Sequence, residues 1–133
     1  MMKRIQMNYS DLIVDIELNN NIVLLRDYSG TGKTFLYTIL ISYFQENNIP
    51  FSFFDYKNSE ISFDVMRSQL SNKEYVLMDC ADLYMTEKLW NWLKKIDAYC
   101  IISMKGLGDY NLNGVDICTV KFTNDNLRLE RLV

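Results

Sequence analysis

The chain has 133 residues, 49% of them hydrophobic, which suits one domain with a packed core spanning residues 1–133 and leaves no room for two ordinary domains. A single Pro and 5 Gly exclude disordered and collagen-like classes, and a net charge of −3 gives no bulk footprint for nucleic acid. The chain contains 0 His, which removes histidine acid–base catalysis, Ser-His-Asp triads and most zinc sites, so any chemistry must use carboxylates, Lys, Arg, hydroxyls and a bound metal.

Taken in chain order, Asp11 to Leu18 alternates in part and reads as a strand, and Asn19-Asn20-Asn21 as a turn. This strand either forms a hairpin with the next one or sits at a sheet edge. Ile22 to Arg26 is an apolar strand feeding Ser29-Gly30-Thr31-Gly32-Lys33-Thr34, and a helical stretch begins at Phe35. Strand, glycine-rich loop, Gly-Lys-Thr and helix make up a phosphate-binding arrangement. Glycines let the backbone fold round an anion, while amides and the positive helix end face the phosphates. Lys33 is placed to reach the β- and γ-phosphates, and the Thr34 hydroxyl to hold Mg²⁺. The full motif, G-x-x-x-x-G-K-S/T, would carry its first glycine at position 27, where this chain has Asp27. The candidate nucleotide-binding set is therefore Asp27, Tyr28, Ser29, Gly30, Thr31, Gly32, Lys33, Thr34 and Phe35. Tyr28 is either a ring contact to the nucleotide or an ordinary exposed loop aromatic.

The helix is expected to end near Asn47-Asn48, since Pro50 blocks its continuation. Phe51 to Tyr56 reads as a strand, Lys57-Asn58-Ser59 as a loop and Phe63 to Leu70 as a short helix. Tyr75-Val76-Leu77-Met78-Asp79 is a buried strand ending in an acid, the position from which a carboxylate reaches Mg²⁺ beside a phosphate loop. Asp79 is thus the second candidate metal ligand, alongside Thr34. The following residue is Cys80, where many hydrolysing relatives of such sites carry a water-orienting Glu. Asp82 either holds a water or metal, as a catalytic partner of Lys33 and Asp79, or caps a surface helix. Thr86 to Lys95 reads as a helix in which Trp90 faces the core, and Ala98 to Ser103 as a further buried strand. Val115 to Phe122 and Leu127 to Leu132 form a C-terminal hairpin. Strands alternating with helices predict a parallel sheet covered on both faces, with the ligand at the carboxyl ends of the strands.

On the residues Ser29 to Thr34 and Val76-Leu77-Met78-Asp79-Cys80-Ala81-Asp82, the chain resembles a minimal P-loop NTPase with Walker A and Walker B motifs. The second motif is similar to the D-x-x-D form of signalling NTPases with numerous domains (the ASCE- and STAND-like division) and, more loosely, to helicase DExD boxes. Ile101-Ile102-Ser103-Met104-Lys105 resembles the sensor strand of the same division, with Met104 at its arginine position. The likeness spans Ile22 to Lys105 and leaves no room for a helical lid domain. It implies an α/β, three-layer P-loop NTPase fold with a mostly parallel central sheet, the sensor strand lying between the P-loop strand and the Asp79 strand. It also implies a slow ATPase that binds ATP or another NTP with Mg²⁺. The alternatives are a nucleotide-dependent switch, whose protein partner supplies the missing catalytic groups, and a small-molecule kinase. The widely spaced Cys80, Cys100 and Cys118 read as free thiols of a cytoplasmic protein, and no membrane segment or signal peptide is visible in the sequence.

Overall fold

The computed structural model describes residues 3–26, 33–58, 60–106 and 110–132. The elements in chain order are β1 (Lys3–Tyr9), β2 (Leu12–Leu18), β3 (Ile22–Leu25), α1 (Lys33–Glu46), β4 (Phe51–Phe54), α2 (Phe63–Leu70), β5 (Tyr75–Met78), α3 (Glu87–Leu93), β6 (Tyr99–Ser103), β7 (Val115–Thr123) and β8 (Asn126–Arg131). Short 3-10 turns cover Tyr56–Asn58 and Ala81–Leu83.

All eight strands join one sheet in the order β1-β2-β8-β7-β3-β6-β5-β4. The stretch from β7 through β3, β6 and β5 to β4 is parallel, whereas β1–β2 and β7–β8 are antiparallel and β2 runs parallel to β8. This overturns the expected three-layer P-loop fold built on a mostly parallel sheet. The molecule is a sheet-rich, mixed and curled eight-stranded assembly with three α-helices among the described residues. The physical reason is the β1–β2 hairpin, which docks through β2 onto the C-terminal hairpin rather than onto β3. Ile13 to Asp15 pair with Asn126 to Arg128, residues far apart in sequence. The predicted C-terminal hairpin is present as β7–β8, with Asn124 in the left-handed region (φ 39°) at its turn.

Burial explains why these segments adopt these elements. β3 and β5 are buried at every residue, as strands covered on both faces must be. β1 buries only Ile5, and β2 alternates, so both belong to a half-solvated antiparallel border. There Arg4 donates from Nε and a terminal nitrogen to both carboxylate oxygens of Asp15, at 2.9 and 2.7 Å. α1 turns Leu36, Tyr37, Ile39, Leu40 and Phe44 into one core with β1, β2 and β8, while α2 and α3 cover the opposite face with Met66, Leu70, Leu89, Trp90 and Leu93. α1 ends where expected: Asn48 takes φ 55° and the Ile49 amide bonds back to the Phe44 carbonyl at 2.9 Å. Ser62 and Thr86 cap α2 and α3 by accepting the amides of Val65 and Leu89.

Phe44 is 0% exposed and stacks on Tyr75 with ring centroids 4.4 Å apart. Truncation would open a cavity between α1 and β5. Phe44→Ala should therefore cost about 3–5 kcal/mol in a urea unfolding experiment; a loss under ~1 kcal/mol would show that this contact does not hold the helix on the sheet.

Candidate functional site

The site is assembled at the carboxyl ends of the parallel strands. Leu25 of β3 lies opposite Ser103 of β6, and Met78 of β5 opposite Ile102, so β3, β5 and β6 end at nearly one level. β6 lies between β3 and β5, the position expected for the sensor-like strand. The chain leaves β3 through Arg26, whose amide donates to the Cys118 carbonyl at 3.0 Å. It re-enters the described structure at Lys33, the first residue of α1. Asp27, Tyr28, Ser29, Gly30, Thr31 and Gly32 lie outside the described residues.

One buried hydroxyl sets the start of α1 against the two strand ends. Tyr37 follows Lys33 by one helical turn and is 1% exposed. Its oxygen lies 2.6 Å from Ser103 Oγ and donates toward the Met78 carbonyl at 3.0 Å. The first turns of α1, which begins at Lys33, are therefore tied to Met78, the residue that precedes Asp79. Sequence reading missed Tyr37. The available signal was a polar hydroxyl at a core-facing helical position, between Leu36 and Ile39.

Asp79 is itself held from several sides. Its amide donates to the Phe54 carbonyl at 2.8 Å, its carbonyl accepts from the Tyr84 hydroxyl at 2.6 Å, and its Oδ1 accepts the Cys80 amide at 3.0 Å. Burial pushes the Tyr84 phenol far above its usual range, so this donor stays protonated at any physiological pH. Cys80 occupies the left-handed region at φ 53° and ψ 42° and is exposed. Partial burial raises its thiol pKa first, Asp79 and Asp55 raise it further, and the ammonium groups of Lys33 and Lys105 act in the opposite direction.

Asp82 sits inside the 3-10 turn rather than at a helix cap. Its two carboxylate oxygens accept the amides of Lys105 and Gly106 at 2.8 and 3.0 Å, so it anchors the chain leaving β6. Thr34 is exposed on the first turn of α1, and its carbonyl accepts from Thr38 Oγ1 at 3.0 Å. Phe35 is 41% exposed. Ser103 is spent on Tyr37, and Met104 is buried. Trp90 is core, with Nε1 donating to the Asn111 carbonyl at 2.9 Å. Arg67 lies over the Phe63 ring on α2, and Arg131 pairs with the buried Asp116.

Among the described residues, no group of three or more His, Cys, Asp or Glu side chains is placed to hold a metal ion. Mg²⁺ in nucleotide sites takes one or two protein ligands and completes its shell with phosphate oxygens and water. The hard oxygen donors of Thr34 and Asp79 fit that chemistry. Among the described residues, no helix is long and apolar enough to cross a membrane. The chain matches no protein-family model and no curated protein.

Two results are expected. Tyr37→Phe should lower stability by about 1–2 kcal/mol in denaturant melts, because Ser103 Oγ loses its buried partner; an unchanged midpoint would remove the tether. Because its pKa is raised, Cys80 should be alkylated by iodoacetamide at pH 8 more slowly than free cysteine, with the rate still climbing above the ordinary thiol pKa. Asp79→Asn should shift that profile down in pH; mass spectrometry of labelled peptides separates Cys80 from the buried Cys100 and Cys118.

Proposed function

We propose that this chain binds a nucleoside triphosphate, ATP by default, together with Mg²⁺, and hydrolyses it slowly. The observation that supports the reading is the Tyr37 tether, which ties α1, one turn after Lys33, to the end of β5 immediately before Asp79. Ligands of sheets with parallel strands gather at the carboxyl edge. In this reading the Lys33 ammonium contacts the terminal phosphates, and the Thr34 hydroxyl and Asp79 carboxylate hold the metal. When bound, Mg²⁺ neutralises phosphate charge.

Slow turnover follows from what succeeds Asp79. Cys80 is a protonated thiol held high in pKa, and it is a poor orienter of water. Asp82 has both oxygens committed to backbone amides. Three free cysteines among the described residues are compatible with a reducing, cytoplasmic setting, which is part of the proposal.

A second reading is favoured by Asp82. It stands three positions after Asp79, in the 3-10 turn that follows, and holds the amides of Lys105 and Gly106, so the segment after Asp79 is tied to the segment leaving β6. The chain would then act as a nucleotide-dependent switch whose partner supplies a catalytic group.

Calorimetric titration with Mg–ATP, followed by phosphate release, tests the proposal. Wild type should bind and release phosphate slowly, and Lys33→Ala should lose measurable affinity while keeping its melting temperature. Equal affinity in the two proteins would overturn the proposal.

A further inference from the structure

Two exposed aromatic rings of this molecule stack on each other at the first turn of α1, next to Lys33 and Thr34. Phe35, the residue after Thr34, is 41% exposed, and Phe122 of β7 is 45% exposed. Their ring centroids lie 6.1 Å apart with planes inclined by 24°, an offset stack. Tyr9, at the end of β1, meets Phe35 edge-on at 5.9 Å and 80°.

The topology explains the convergence. β7 runs parallel to β3 with Cys118 opposite Leu25, so Phe122 lies beyond the carboxyl end of β3. Followed through the pairings β3–β7, β7–β8, β8–β2 and β2–β1, β1 runs in the same sense as β3, and Tyr9 ends at the same edge. Three segments remote in sequence thus bring rings to the first turn of α1, on the side of the sheet where phosphates are proposed to bind.

We infer that Phe35, Phe122 and Tyr9 form a stacking platform for the purine base of the bound nucleotide. The inference rests on the phosphate site proposed above and adds the part of the ligand that site does not recognise. A base is favoured over a protein partner by size, since two half-exposed rings fall well below the ~800 Å² each partner contributes to a stable protein interface. It is also favoured by continuity, because Phe35 adjoins Thr34 in the chain and a base is joined to its phosphates by one ribose. Flat π-faces suit a base, and stacking on an aromatic side chain is worth about 1–3 kcal/mol per base.

Mg–ATP and Mg–tripolyphosphate, titrated separately into wild type, Phe122→Leu, Phe35→Leu and Lys33→Ala, test this. Leucine keeps the apolar volume and removes the ring, and thermal melts check each fold. The expected result is that Phe122→Leu weakens ATP by about tenfold, the equivalent of ~1.4 kcal/mol, and leaves tripolyphosphate unchanged. Lys33→Ala should weaken both ligands. If both leucine variants bind ATP like wild type while Lys33→Ala does not, the platform is refuted and the phosphate site survives. If Phe122→Leu weakens tripolyphosphate as much as ATP, the ring supports the fold and the platform is again refuted. If Lys33→Ala binds both ligands normally, the phosphate site falls and the platform with it.

Discussion

The Tyr37 hydroxyl is the constraint on which the candidate site depends. It is a polar group in an otherwise apolar helix face, buried against the ends of β5 and β6. Hydrogen bonds of this kind contribute little net stability, but leaving such a group unpaired costs more than the bond contributes. That asymmetry fixes the depth and rotation of α1, because a slide along the sheet would strand the hydroxyl, Ser103 Oγ or both. The position of Lys33 relative to Asp79 follows from it.

Around that tether, the edge is organised by backbone groups more than by side-chain charge. Asp79 is held by its amide, its carbonyl and one carboxylate oxygen, and Asp82 uses its carboxylate to hold the chain leaving β6. Two acids three positions apart therefore do different work. One is placed at the strand end with its side chain only partly engaged, and the other is absorbed in supporting the edge. The left-handed Cys80 between them is where the chain turns from strand to 3-10 turn. A residue there points away from the regular strand path, so its chemistry depends on that turn.

The other half of the sheet has a separate logic. β1 and β2 are bordered by water and stitched by the Arg4–Asp15 pair, and they reach the parallel strands only through β8 and β7. The two hairpins thereby extend the sheet past β3 and curl it over α1. The aromatic contacts of Phe35 arise from that curl, since Tyr9 and Phe122 come from opposite ends of the chain.

Most of the central strands were legible from composition: Ile22–Leu25 and Tyr75–Met78 are unbroken apolar runs, and Tyr99–Ser103 is apolar up to its last residue, as strands buried on both faces must be. The ends of α1, the C-terminal hairpin and Asp79 at a strand end were legible for similar local reasons, as Pro50, the Asn-rich turn and the apolar-to-acid step act over a few residues. Lys3–Tyr9 was not, because its outward residues are charged or polar and only Ile5 is fully buried, leaving a weak period. Nor was the mixed character of the sheet, because the β2–β8 pairing joins residues more than a hundred positions apart and no local pattern encodes it. Sequence by itself determined which residues carry the chemistry proposed for phosphate and metal, Gly-Lys-Thr and Asp79, and that histidine plays no part. Only tertiary structure decided that a tyrosine hydroxyl ties α1 to the strand end before Asp79 and that Asp82 faces backbone amides, since contacts between distant segments are chosen by packing and by the need to satisfy buried polar groups.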